Sequence, residues 1–191
     1  MNEMVSLFSI NRLGSEPVPP DLLALLQNAD ELRRRTGITF SSALGWSPWL
    51  DTSYLSDAER RNPDIMASVR AIQEVCGLVA FVAELEDSEY LGYWRGPTRR
   101  PVASSPLVIL DNEGQFRLCA GSCFAEALLE RMYDEERFGV LKAWLQSLGI
   151  SIPQNSIDDF VYQICQDDPN ALCSELFERY QNKPAVAEQG R

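Results

Sequence analysis

The sequence predicts an α+β protein with a central antiparallel β-sheet of about four to six strands, flanked by helices and followed by a C-terminal helical extension. Two observations lead to this prediction. Short apolar or alternating segments follow one another between residues 77 and 120, with turn residues between them. The segments on either side repeat apolar residues at helical spacing, so helices are expected before and after the strands.

Two helices are predicted before the strands. The first begins at Pro19-Pro20 and ends at Gly37, because proline is tolerated in the first helical turn and glycine is favoured just after the last. The second begins at Asn62-Pro63 and ends at Gly77. Residues 1–18 are predicted to form a loose arm at the edge of the sheet.

Residues 38–56, between these helices, hold Trp46 and Trp49 on either side of Ser47-Pro48. A pair of tryptophans that flanks a turn commonly fixes a loop onto the core of a protein. Tryptophan is equally favoured at exposed protein contacts. The sequence leaves both interpretations open for this loop.

Four strands form the centre of the predicted fold. The first is an apolar, valine-rich run that is expected to be buried on both faces, and the second is aromatic. The turn Asp111-Asn112-Glu113-Gly114 joins the third strand to the fourth, and Ser122 then begins a helix that covers the sheet. The predicted strands span residues 78–83, 90–94, 107–110 and 115–119.

A C-terminal helical extension is predicted from residue 136 onwards. Its helices span residues 136–148, a segment that begins at Ser156 with Asp159 in capping-box position, and a segment that begins at Asp168-Pro169. The composition does not change enough to mark a separate domain, so residues 1–181 are predicted to form one domain. The small and polar residues 182–191 are predicted to be a disordered tail.

The chain has 191 residues and a net charge of −11. A surface of this charge repels phosphate, so nucleic acid and anionic membranes are poor partners, whereas a basic protein would be attracted. Solubility is a sufficient reason for acidity, so the charge alone establishes no partner. The odd number of cysteines favours a reducing, cytoplasmic location, and no segment reaches the length of a membrane span.

The sequence contains no histidine, which removes the usual general base and the histidine-assisted nucleophiles. Cys119 and Cys123 invite a metal or redox hypothesis, and the first turn of a helix would lower the pKa of the Cys123 thiol. Their spacing does not match the paired cysteines of zinc sites, so apolar filler in the core is the better interpretation. No catalytic residue, cofactor or metal ion is predicted.

The one basic segment of the central region is the loop Arg95-Gly-Pro-Thr-Arg-Arg-Pro101. Arginine and aromatic residues are favoured at the centres of protein interfaces. The alternative is that the aromatic residues beside this loop belong to the core, while its arginines only solvate the loop. The predicted partner-binding residues are Tyr90, Trp94, Arg95, Arg99 and Arg100.

Three segments of the central region together resemble the SMI1/KNR4 (SUKH) family. They are Leu91-Gly92-Tyr93-Trp94, the hairpin from Pro106 to Gly114, and the helix from Ser122 to Leu129. The resemblance covers the central third of the chain. The turn Glu86-Asp87-Ser88-Glu89 departs from the family, whose members often carry a glycine there.

The resemblance implies an α+β domain whose bacterial members are largely immunity proteins that bind and neutralise a toxin, and whose fungal relatives regulate cell-wall synthesis. It therefore predicts a non-catalytic protein-binding domain, and the net charge of −11 makes a basic toxin domain the expected partner. Two alternatives stay open. One is a regulatory or scaffold protein without a toxin, and the other is an enzyme that uses Cys123 or carboxylates.

Overall fold

The structure is a computed structural model that describes residues 3–162 and 167–182. Within these residues, eight α-helices surround a five-stranded β-sheet, and the predicted α+β class is confirmed. The helices are α1 (Glu3–Leu13), α2 (Pro20–Gln27), α3 (Ala29–Thr36), α4 (Asp57–Arg61), α5 (Pro63–Cys76), α6 (Phe124–Leu129), α7 (Glu135–Ser147) and α8 (Pro169–Asn182). The strands are β1 (Thr39–Phe40), β2 (Val79–Glu84), β3 (Tyr90–Trp94), β4 (Leu107–Leu110) and β5 (Phe116–Leu118).

The strands lie in sequence order across the sheet, and every neighbouring pair is antiparallel. All four predicted strands are confirmed, with small shifts at their ends. The sequence does not predict β1, because a strand of two residues is too short to show a period. In the sheet, β1 pairs Thr39 with Glu84 and Phe40 with Ala83.

Both faces of the sheet are buried, so the elements form three layers. One face, which includes Val82, Leu91 and Ile109, packs in a core shared with α1, α2, α3, α6 and α7. The other face, which includes Trp94 and Val108, packs against α5 and α8. Burial on both faces explains why β2 and β4 are almost continuously apolar instead of alternating.

Strands β2 and β3 approach each other closely at Gly92. A β-bulge shifts the register between Phe81 and Ala83, and Phe81 pairs with Gly92. A Cβ atom added to Gly92 would lie 2.7 Å from Cγ1 of Val79, and 2.8 Å from the Ala80 carbonyl oxygen and the Phe81 Cα atom. No side chain fits in this space, so the fold requires glycine here.

The N-terminal prediction is wrong, because residues 3–13 form α1 instead of a loose arm. This helix buries Val5, Phe8 and Leu13 in the core. It also carries exposed apolar residues, including Leu7 and Ile10. Apolar residues on both sides hide the helical period on which a sequence prediction depends.

The helix predicted between Pro20 and Gly37 is divided at Asn28 into α2 and α3. The Asn28 side-chain amide donates a hydrogen bond to the carbonyl oxygen of Ala24 at 2.8 Å, and asparagine competes for backbone bonds in this way at helix ends. Gly37 ends α3 in the left-handed conformation, as the sequence predicts.

The later helices are confirmed in part. The predicted helices that became α5, α7 and α8 are present, and Asn62 caps α5 with its side chain. The helix predicted from Ser156 is wrong, because only the 3-10 turn Ile157–Asp159 forms and Phe160 is extended. The rest of that segment, residues 163–166, lies outside the described residues. So does the predicted tail 182–191 except for Asn182, which ends α8. A single domain over residues 1–181 stays a prediction.

The start of α8 is joined to the free edge of β5. The Asn170 side chain accepts a hydrogen bond from the Phe116 amide at 2.9 Å and donates one to the Phe116 carbonyl oxygen at 2.6 Å. Asn170 thus takes the place of a further strand at this edge. Across residues 3–162 and 167–182, no helix has the length and apolar character needed to cross a bilayer.

Candidate protein-binding surface

Trp94, a predicted partner contact, is fully buried. Its side chain belongs to the core between the sheet and helices α5 and α8. The indole nitrogen donates a hydrogen bond to the carbonyl oxygen of Asp167 at 2.6 Å, which satisfies the buried donor. For Trp94 the core alternative therefore holds, and this side chain offers nothing to a partner while the core is closed.

Arg95 and Arg100 have partners within the chain. Arg95 forms an ion pair with Glu16, and its Nε donates a hydrogen bond to the Arg100 carbonyl oxygen at 3.0 Å. Glu16 also accepts a hydrogen bond from the Val102 amide at 2.7 Å, and Arg100 pairs with Asp167 at 2.8 Å. These arginines hold their loop against distant segments instead of only solvating it.

The remaining two predicted contacts, Arg99 and Tyr90, differ in their exposure to solvent. Arg99 is exposed and has a positive φ of 51° at the tip of the loop. Tyr90 is partly buried at the start of β3. The five predicted residues thus do not share one exposed face, and their role in binding stays a prediction.

Tyr90 belongs to an aromatic cluster that fixes the loop after β1 to the sheet. The Trp49 ring lies 4.2 Å from the Phe81 ring and 5.5 Å from the Tyr90 ring, as measured between centroids. Trp46 stands edge-on to Trp49 at 5.0 Å. The tryptophan pair fixes the loop onto the core, as the first interpretation predicts. Each ring also keeps part of its surface exposed, as the second interpretation requires.

The 41–55 loop, meaning residues 41–55, is clamped near its beginning by α1. The Arg12 guanidinium donates hydrogen bonds to the carbonyl oxygens of Ala43 and Trp46, each at 2.7 Å. It also lies 5.3 Å from the centre of the Trp46 ring, within the range of a cation–π contact. Asn11 adds a hydrogen bond to the Ser42 carbonyl oxygen at 2.8 Å.

The far end of the 41–55 loop is clamped in the same manner by α4. The Arg60 guanidinium donates to the carbonyl oxygen of Thr52 at 2.7 Å and to that of Leu55 at 3.1 Å. A guanidinium that bonds two carbonyls fixes both their separation and their direction. These hydrogen bonds therefore fix the conformation of the 41–55 loop on the surface.

The thiols of Cys119 and Cys123 are protected from ionisation. Burial raises the pKa of Cys119 and of Cys123 to about 12, and nearby carboxylates, Glu130 for Cys119 and Asp21 for Cys123, act in the same direction. The expected lowering of the Cys123 pKa is wrong, because burial outweighs the helix terminus. A neutral thiol is a poor nucleophile and a poor metal ligand.

Two buried carboxylates on α6 and at its end have structural partners. Glu126 accepts hydrogen bonds from the backbone and hydroxyl of Ser122, and Gln154 donates to it at 3.1 Å. Glu130 accepts one from the Ala120 amide at 2.6 Å and pairs with Arg117. Both carboxylates hold the chain between β5 and α6, which accounts for their burial.

A groove of about 950 Å³ lies between the end of α3 and the start of α7. Both arginines and carboxylates line it. Arg131 pairs with Glu89 at 2.7 Å, and Arg137 pairs with Asp134 at 3.5 Å. Neither Cys123 nor the buried glutamates line this groove. No group of three or more metal-binding side chains occurs in the described part of the chain.

Comparisons of this chain with protein-family models, with curated proteins and with solved structures found no match. The resemblance to the SMI1/KNR4 family therefore stays a prediction that rests on the residues named above.

Proposed function

We propose that this protein is a non-catalytic binding protein of the immunity type, which neutralises a toxin by binding to it. The observation that carries the proposal is that the candidate reactive side chains are buried and have structural roles in the fold. The candidate nucleophile Cys123 is kept neutral, and the buried Glu126 and Glu130 are held by hydrogen bonds. Because these groups are not available for catalysis, recognition of a partner is the role that the acidic surface supports.

A second observation supports the resemblance to the SMI1/KNR4 family. Asp87 and Ser88 both have a φ of 60°, in the left-handed region that favours glycine. This is the turn in which family members often carry glycine. In this chain the turn therefore has a backbone conformation that glycine would adopt at lower cost.

The partner that fits this proposal is a basic protein domain. The net charge of −11 would attract it and speed the encounter. The same charge makes nucleic acid and anionic membranes unfavourable partners. A cytoplasmic location fits as well, because Cys76, Cys119, Cys123 and Cys173 are all free thiols.

Two other functions would use some of the same features. A regulatory or scaffold protein would bind its partner without neutralising a toxin. An enzyme would need an ionised thiol or an unengaged carboxylate in a cleft. The high pKa of Cys123, about 12, argues against the enzyme.

The proposal is tested with the purified product of the adjacent gene. A gene for the cognate toxin is expected at that position. We expect a one-to-one complex whose association rate falls about tenfold or more between low and high salt, because screening weakens charge steering. Surface plasmon resonance at about 50 mM and about 500 mM salt measures this rate. An association rate that does not respond to salt would contradict steering by the acidic surface.

A further inference from the structure

The guanidinium of Arg95 fixes the tip of the 95–101 loop, meaning residues 95–101. Its Nε donates a hydrogen bond to the Arg100 carbonyl oxygen at 3.0 Å, and its Nη2 donates one to the Arg99 carbonyl oxygen at 3.4 Å. The Arg99 amide in turn donates to the Gly96 carbonyl oxygen at 3.0 Å. The Arg100 amide donates to the Arg95 carbonyl oxygen at the same distance. These bonds hold the backbone of the tip in one conformation.

Carboxylates from two distant segments pair with two of the three arginines in this loop. Arg95 pairs with Glu16, which lies in the connection between α1 and α2. Arg100 pairs with Asp167, just before α8. Arg99 is exposed, and its guanidinium has neither an ion pair nor a hydrogen bond within the described part of the chain. The 95–101 loop therefore presents one unpaired positive charge to solvent.

Arg99 also has a backbone conformation that is costly for an arginine. Its φ of 51° lies in the left-handed region, which a Cβ atom disfavours and glycine adopts freely. The other non-glycine residues with a positive φ among those described are Ser15, Asp87 and Ser88, all of them short and polar. Strained backbone of this kind clusters at ligand-binding positions. Since no contact of the Arg99 guanidinium within the described residues offsets the cost, a contact outside the chain would explain an arginine here.

We propose that Arg99 is the residue through which the 95–101 loop binds a carboxylate of the protein partner. The inference rests on the proposed binding function and names one contact within it. A guanidinium donates two parallel hydrogen bonds to a carboxylate, and arginine is favoured among the residues that dominate binding energy. Because the loop is fixed before the partner arrives, the contact costs little backbone entropy. The phosphates of nucleic acid are disfavoured as the anion, because the net charge of −11 repels them.

The test compares Arg99 with an exposed arginine on another element. Arg99→Gly removes the side chain, and Arg61→Ala is the matched control, because Arg61 ends α4, is exposed and has no ion pair within the described residues. Binding of each variant to the purified product of the adjacent gene is measured by surface plasmon resonance. We expect Arg99→Gly to raise the dissociation rate constant about tenfold or more, while Arg61→Ala changes it less than about threefold.

Urea unfolding of Arg99→Gly separates a partner contact from a structural role. The urea midpoint is expected to stay at or above that of the wild type, because glycine adopts the φ of 51° without strain. A variant that binds more weakly without losing stability identifies a side chain whose contribution is to the complex. A lower midpoint would show that the Arg99 side chain supports the fold, and it would overturn the proposal.

The binding outcomes distinguish the contact from the function. If the wild type binds the adjacent gene product and Arg99→Gly binds equally well, the Arg99 contact is overturned and the proposed function stands. If the wild type does not bind, the proposed function fails and the inference fails with it. If phosphatase treatment of the partner weakens binding by the wild type but not by Arg99→Gly, a phosphate group meets Arg99 and the carboxylate is overturned.

Discussion

Replacing Gly92 with alanine is expected to cost at least about 4 kcal/mol of unfolding free energy and to leave little folded protein. An added Cβ would lie 2.7 Å from Val79 Cγ1 and 2.8 Å from the Ala80 carbonyl oxygen. Backbone atoms of β2 cannot give way without breaking the pairing of β2 with β3. The measurement is the soluble yield and, where protein is obtained, urea unfolding followed by circular dichroism.

Gly139→Ala is the matched control for this substitution. Gly139 lies in α7, and nothing is within 4 Å of the position where its Cβ would stand. Alanine there should stabilise the protein by about 0.5–1 kcal/mol, because glycine disfavours a helix. A Gly92→Ala protein that is as stable as the wild type would show that the spacing of β2 and β3 described above is wrong.

Trp94→Ala is expected to cost about 3–5 kcal/mol, the usual range for truncation of a large buried side chain. The variant leaves a cavity between the sheet and helices α5 and α8, and it removes the hydrogen bond to the Asp167 carbonyl oxygen. Urea unfolding followed by tryptophan fluorescence and circular dichroism measures the loss. Any effect on partner binding should then follow the fraction of unfolded protein and vanish when that fraction is corrected for.

The comparison variant is Trp144→Ala. Trp144 is only partly buried in α7, where the Arg35 guanidinium lies 5.2 Å from its ring centre, so its truncation should cost less than that of Trp94. An equal or larger cost for Trp144→Ala would mean that the core described around Trp94 is not the one that stabilises the fold. A Trp94→Ala protein of wild-type stability with a faster dissociation rate would restore Trp94 as a partner contact.

The sheet could be predicted from the sequence because its signals are local. Gly114 marks the turn of one hairpin, and the valine-rich run of β2 is too short for a helix. The helix α1 could not be predicted, because its exposed Leu7 and Ile10 interrupt the helical spacing of its buried apolar residues. The segment after Ser156 shows the opposite failure, since a correct capping box there starts only one 3-10 turn.

The candidate site was only partly predictable, because the partners of its residues are distant in sequence. Arg95 looks like a free interface arginine until Glu16 is placed beside it. Trp46 and Trp49 signal a loop of interest, but nothing local in the sequence assigns Arg12 as its clamp. Contacts of this kind depend on the tertiary fold, which residue spacing alone does not specify.

Growth of a bacterial host that expresses the adjacent gene's toxin domain tests the central claim most directly. We expect growth to stop when the toxin domain is expressed alone and to recover when the wild-type protein is co-expressed. Failure of the soluble wild-type protein to restore growth would contradict the proposal that this protein neutralises a toxin by binding it.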